Sequence, residues 1–284
     1  MISVILTVYA RPHNLDLQIE AIQNQTIPPD EIIIVVDKNQ KIDFDIKKYE
    51  QFQVVQFHKN IGVWGRFSIA LLTRNPYICV FDDDTIPGAK WFENCINTYK
   101  KVDGLLGTVG VLFNKGSLDY DYSKRIGWPS ANSEIELADI VGHSWFFKRE
   151  HLEAFWQNTQ NHTKFKKSGE DIHFSYILKK KLGLNTYVPP HPKNDTSLWG
   201  SLPEYAYSLG SDENALSLET ISTLRMSSYM KKVRKDGFIF LSEISDNQNK
   251  IKPSLKREVN FYRKNIWSTL KLFIKNLIKK IDIN

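Results

Sequence analysis

Three consecutive carboxylates, Asp82, Asp83 and Asp84, follow the apolar run Pro76-Tyr-Ile-Cys-Val-Phe81. Adjacent carboxylates at a strand end repel one another unless a cation lies among them. A hard divalent ion meets that need, because Mg²⁺ and Mn²⁺ prefer oxygen ligands, take one or two protein carboxylates and leave their other positions to phosphate oxygens and water. Strand alternation puts Asp82 and Asp84 on one side, so those two are the pair able to share a ligand. The competing reading is a solvated acidic turn that caps the next helix. A fully apolar strand before the triplet and a Gly169-Glu170-Asp171 sequence farther along favour the metal.

Glu170 and Asp171 open the helical pattern Ile172-His-Phe-Ser-Tyr-Ile-Leu178. Carboxylates in a first helical turn are stabilised by the helix dipole and by capping, which accounts for Glu170 as well as chemistry does. A carboxylate there can also take a proton from a hydroxyl, or steady a cationic carbon.

The elements that must carry these groups alternate along the chain. Residues 2–8, 31–37, 53–57 and 76–81 read as strands, with helices over 13–25 and 65–72 between them. Continuous β-branched runs separated by helices imply a parallel sheet covered on both faces. Ligands of such sheets sit beyond the carboxyl ends of the strands, where Tyr9, Arg11, Asp37, Asn60 and the Asp triplet fall. Farther on, strands are expected at 105–113, 139–147 and 185–188, helices at 149–157 and 170–182, and a loop-rich surface rim through 189–215.

The segments Asn60-Ile-Gly-Val-Trp-Gly-Arg66-Phe67, Val80-Phe-Asp-Asp-Asp-Thr85, Val141-Gly-His-Ser-Trp-Phe-Phe147 and Gly169-Glu-Asp-Ile172 resemble, in this order, the GT-A glycosyltransferases. The chain is most similar to the exostosin-type family 64 and, more loosely, to family 2, over about residues 1–200. That resemblance implies an α/β GT-A domain over 1–224, with residues 1–90 as its nucleotide-sugar half and 91–224 as its acceptor half. It further implies that Tyr9, Arg11 and Asp37 line the base and ribose pocket. Asn60 and Arg66 then reach the nucleotide or its diphosphate, together with Asp82 and Asp83. Asp84 holds Mn²⁺ or Mg²⁺ with help from Asp82, and Asp171, beside Glu170, lies at the acceptor side of the anomeric carbon. His191, in Pro189-Pro-His-Pro192, stands where such enzymes often place a third metal ligand, ahead of His143 and His173. Trp145, Trp199 and Tyr205 are candidates to stack on acceptor sugars, against the plainer reading of packing. Lys38 stands where family 2 carries a second Asp after Asp37, which leaves the base open.

The net charge of +6 hides an asymmetry: residues 225–284 hold 15 Lys and Arg against 5 Asp and Glu. From Val259 to Ile281 apolar residues recur at helical spacing with lysines toward the other side. A basic helical region over 225–284 follows, whose segment 255–284 suits either the surface of an anionic membrane or packing on protein. Aromatic-interleaved basic platforms are missing, so nucleic acid is not an expected partner. Two cysteines, Cys79 and Cys95, offer neither a disulfide framework nor a zinc spacing. No secretory signal is legible at the start, and a cytoplasmic setting is expected, with peripheral contact at the inner face of a membrane.

Three functional readings follow. The first is a metal-dependent glycosyltransferase using a nucleotide-sugar, UDP-linked by preference, on a glycan or lipid-linked glycan in bacterial surface polysaccharide synthesis. The others are a sugar- or nucleotide-binding module without turnover and a nucleotidyltransferase. The last lacks its Gly-rich phosphate loop, since Tyr9-Ala-Arg-Pro12 follows the first strand.

Overall fold

A computed structural model describes residues 1–39, 44–157, 168–209 and 220–244. An eight-stranded sheet runs in the order β3-β2-β1-β4-β10-β5-β11-β8. Its strands are β1 (Ile2–Val8), β2 (Glu31–Val36), β3 (Gln53–Gln56), β4 (Tyr77–Phe81), β5 (Gly104–Leu106), β8 (Glu136–Ala138), β10 (Ser144–Lys148) and β11 (Asn185–Val188). The four strands of the first half are parallel, and β10 enters antiparallel between β4 and β5. Alternate residues feed two cores, Ile5, Ile33 and Val80 on one face and Val4, Ile34 and Phe81 on the other. That double burial is why these strands read as continuous apolar runs.

Helices α1 (Leu15–Gln23), α2 (Gly65–Ile69), α3 (Trp91–Tyr99), α4 (His151–Trp156), α5 (Glu170–Leu182), α6 (Pro203–Leu209) and α7 (Thr220–Lys235) surround the sheet. A smaller sheet, β7 (Tyr122–Gly127), β6 (Val109–Phe113) and β9 (Ile140–Gly142), lies beside it in the order β7-β6-β9. The expected strands 105–113 and 139–147 are therefore each divided, β5 from β6 at Gly107-Thr108 and β9 from β10 at His143. At both breaks the chain passes from one sheet to the other. His143 makes its turn in the left-handed region, with φ 72°, which a side chain with a Cβ adopts only when its surroundings hold it there.

The stretch after β11 is not wholly a surface rim. His191 and Trp199 are buried, and Pro203–Leu209 forms α6. A compact unit spans Met1–Phe240, and α7, which crosses residue 224, adds Tyr229, Met230 and Val233 to its core. A second unit, Leu241–Asn284, contains the expected helix Val259–Ile281, which lies outside the described residues. Among the described residues no helix is long and apolar enough to cross a membrane.

Candidate active site

Strand β4 ends at Phe81, so the acidic triplet stands in the turn that follows, and the turn rather than the strand pleat sorts its side chains. Asp83 points back to the loop after β1. It accepts from the backbone N–H of Ala10 at 2.9 Å and of Arg11 at 3.1 Å, and from the Arg11 guanidinium at 2.8 Å. Asn14 and Gln18 tie down the turn's carbonyls, Asn14 Nδ2 donating to Asp83 O at 2.9 Å and Gln18 Nε2 to Asp82 O at 2.6 Å. Asp83 is thus a brace for this turn. Arg11, which also approaches Asp84 at 3.4 Å, is engaged by carboxylates rather than offered to a base or ribose.

Asp82 and Asp84 face the other way, toward His143. One ligand atom from each of Asp82, Asp84 and His143 can be chosen so that all lie within 4.8 Å of one another. The backbone binds the group together as well, since Asp82 N–H donates to His143 O at 3.2 Å. Two carboxylate oxygens and an imidazole nitrogen at this spacing fit Mn²⁺, and Mg²⁺ with more reluctance because of the nitrogen. Burial, with Asp82 and Asp83 alongside, pushes the Asp84 carboxyl up to about 7.

His191 is not part of this group, and the histidine that stands beside the two carboxylates is His143. The His191 ring is buried between Trp91 and Trp199. Its Nδ1 donates to Pro189 O at 2.7 Å, which leaves Nε2 to accept from Thr108 Oγ1 at 2.8 Å and from Gly200 N–H at 3.2 Å. With both nitrogens occupied and burial lowering its pKa to about 4, it is a neutral structural histidine.

The expected sugar-stacking tryptophans are also interior. Trp199 donates from Nε1 to Pro192 O at 2.9 Å, and Trp145 from Nε1 to Val141 O at 3.0 Å. Trp145 carries the Arg66 guanidinium over its ring at 4.4 Å. Tyr205 sits in α6, half-buried. Packing therefore accounts for both tryptophans.

Arg66, on α2, is the link between the two halves of the site. One terminal nitrogen pairs with Asp82, and the other meets Glu170 Oε1 at 2.7 Å. Both terminal groups are spent on carboxylates, so Arg66 is a connector and not an open phosphate donor. Glu170 correspondingly makes an ion pair where a cap was the alternative reading. The N-cap of α5 is Gly169 at φ 84°, whose missing Cβ would come within 3.2 Å of the Tyr229 ring. Burial raises the Glu170 pKa against the pull of Arg66. Asp171, half-buried beside it, accepts from Ile172 N–H at 2.7 Å and is pushed up to about 8 by burial and then by Glu170. A carboxylate so tuned is a competent base near neutral pH.

On the opposite flank Asp37 accepts from Ile61 N–H at 2.9 Å, and Asn60 Oδ1 accepts from Gly62 N–H at 2.7 Å. The two fix the loop after β3, while Tyr9 stands 41% exposed at the end of β1. These three border the strand ends as the residue types suggested. His143 ranked below His191 in the sequence, because a histidine inside an apolar strand-like run reads as packing. The crossing between sheets at His143 is what turns its ring toward Asp82 and Asp84.

A parallel four-stranded half, an acidic turn at its strand ends and a Glu-Asp helix start joined to that turn by one arginine are the features of a GT-A glycosyltransferase. The chain belongs to glycosyl transferase family 2, whose family model matches residues 3–180. It is family 2, and not the exostosin type, that this match identifies. Similar solved structures include S. aureus TarS, 16% identical with a TM-score of 0.46 over 66% of this chain and 35% of that one. Another is S. aureus TarS 1–349, 15% identical with a TM-score of 0.47 over 66% of this chain and 58% of that one. The chain thus spans little more than half the length of the shorter of these. No curated protein matches the sequence significantly.

Proposed function

We propose that this glycosyltransferase moves a sugar from a nucleotide-sugar, UDP-linked by preference, to a hydroxyl of a glycan or lipid-linked glycan, inverting the anomeric configuration. The observation that carries the reading is the convergence of Asp82, Asp84 and His143 with Glu170 and Asp171 through the single guanidinium of Arg66. Mn²⁺ or Mg²⁺ held by Asp82, Asp84 and His143 would neutralise the donor diphosphate and stabilise it as a leaving group.

Asp171 supplies the proton chemistry. Its carboxylate takes the proton of the acceptor hydroxyl as that oxygen bonds to the anomeric carbon, and the carbon–oxygen bond to the diphosphate breaks with its electron pair leaving on the phosphate. Glu170 stays paired with Arg66 and lends Asp171 its negative field, which strengthens the base. Asp37, Asn60 and Tyr9 border the side where base and ribose bind, and Asp83 with Arg11 keeps the acidic turn in place. A bacterial surface polysaccharide is the proposed product, and the basic segment 255–284 is the proposed contact with an anionic membrane at the cytoplasmic face.

Calorimetry with UDP and GDP in Mn²⁺, with and without EDTA, tests the donor site, and release of sugar from a panel of nucleotide-sugars tests turnover. UDP should bind only with the metal present. Equal affinity in EDTA would refute the metal site.

A further inference from the structure

Beyond the donor site and the base, a cation one aromatic ring away from His143 stands without a carboxylate among the described residues. Arg125 lies on β7, opposite Val111 of β6. Among the described residues no carboxylate comes within ion-pair distance of it, although its neighbour on the strand, Lys124, pairs with Glu136 at 3.4 Å. Its guanidinium rests instead on the Trp128 ring, 5.4 Å from the centroid. A half-buried guanidinium held on an aromatic face keeps its donors in hand for a ligand, where one clamped by a carboxylate, such as Arg66, does not. Nε is sealed off with no hydrogen-bond partner, so the terminal N–H groups are the donors on offer.

Its position ties it to the reaction. The Trp128 ring stands edge-on to His143, 6.5 Å between centroids, so Arg125 is one ring removed from the candidate metal ligand. Arg125 also acts electrostatically on His143 and, together with Asp171, on Tyr120, so its charge is felt on both sides of the site. The donor's base and ribose border on Tyr9, Asp37 and Asn60 at the far end of the main sheet, around β1, β2 and β3. Arg125 and Asp171 both act on Tyr120, and Asp171 is where the acceptor hydroxyl is taken to react.

We infer that Arg125, supported by Trp128, is an acceptor-binding residue that receives an anionic oxygen group, phosphate or carboxylate, carried close to the hydroxyl that is glycosylated. The inference rests on the transferase reading in that it takes Asp171 to mark the acceptor side. A neutral glycan leaves Arg125 unanswered, and an anionic one pairs with it through charge-assisted hydrogen bonds that are about twice as strong as neutral ones.

The test uses the full chain without nucleotide or metal and three small probes: methyl β-glucuronide, glycerol 3-phosphate and the neutral methyl β-glucoside. Titration followed by NMR should show at least one anionic probe binding about ten-fold more tightly than the glucoside, a preference that weakens with salt. Arg125→Gln should erase the preference and Arg125→Lys should keep part of it, with UDP binding in Mn²⁺ the same in all three proteins. Equal binding of the three probes to the wild type overturns the inference, as does a preference that survives Arg125→Gln. If Arg125→Gln fails to fold, the lysine variant decides, since a guanidinium-specific site must weaken there while an unrelated anion site must not. An Arg125-dependent preference in a protein that binds no UDP supports this inference while refuting the donor site.

Discussion

Replacing Arg66 by methionine should destabilise the protein far more than any exposed ion pair could. The guanidinium is 6% exposed, and the Glu170 side chain it meets at 2.7 Å is 10% exposed, so this is a buried pair by any standard. Removing one partner of such a pair leaves an uncompensated charge and costs about 3–5 kcal/mol. For a unit of this size each kcal/mol moves the melting temperature by about 2–4 °C, so a fall of roughly 10 °C is expected by calorimetry at pH 7. The sign of the pH dependence follows from Glu170. Its folded pKa already lies above the ordinary value, through burial, and without Arg66 it must rise further. A group whose folded pKa exceeds its unfolded one stabilises at low pH and loses that contribution as pH rises. The deficit of Arg66→Met should therefore shrink between pH 7 and pH 5. Adding Glu170→Gln removes the stranded charge and should restore much of the stability without restoring transfer, because Asp82 still lacks its partner. A fall of less than about 3 °C, or no recovery in the double variant, would show that Arg66 does not connect the acidic turn to the helix start.

Asp171→Asn should lower transfer by roughly 10²-fold or more while UDP binding persists, and wild-type activity should climb with pH toward about 8 as the base ionises. The same raised pKa means that the ionised form opposes folding, so the asparagine variant should be the more heat-stable protein above pH 8, and wild-type activity in it would reduce Asp171 to a structural residue. His143→Ala should weaken Mn²⁺-dependent UDP binding with little change in melting temperature, whereas His191→Ala should do the reverse, and an exchange of those phenotypes would restore His191 as the ligand. Removal of residues 257–284 should abolish sedimentation with phosphatidylglycerol vesicles at low salt and leave UDP binding intact. If the shortened chain still pellets, the tail is not a separable anchor.

The first half of the fold was legible because its strands are buried on both faces, and such runs leave one signature whatever their partners. The acidic turn was legible because three adjacent carboxylates after an apolar strand such as Tyr77–Phe81 call for a cation or for solvent, and the strand's burial favours the cation. The second half was blurred by its two crossings. Runs at 105–113 and 139–147 look uniform, yet each passes from one sheet into the other, at Gly107-Thr108 and at His143. Strand β7 had no signature at all, because Tyr122-Ser-Lys-Arg125 is mostly exposed and pairs with β6 along one edge. Side-chain direction was the least legible property. Trp145, Trp199 and His191 are the residue types that bind sugars and metals, and each is also a type that fills a core while satisfying one or two polar atoms. The backbone carbonyls of Val141, Pro192 and Pro189 decide for the core.

One charge imbalance explains the most distinctive features of the site. Asp82, Asp83, Asp84, Glu170 and Asp171 are answered among themselves by two guanidinium groups, those of Arg11 and Arg66. The arginines go to the carboxylates that fix geometry, Asp83 at the turn and Glu170 at the helix start. Asp84 and Asp171 are left undercompensated, and burial first, then the neighbouring carboxylates, pushes them up to about 7 and about 8. An undercompensated carboxylate has two chemical outlets: it can hold a cation or it can hold a proton. Asp84, grouped with Asp82 and His143, has the donor set for the first, and Asp171, alone at its helix start with Glu170 already paired, is suited to the second. Arg66 keeps the two outlets distinct, because by binding Asp82 and Glu170 at once it prevents the acidic turn and the helix start from repelling each other apart.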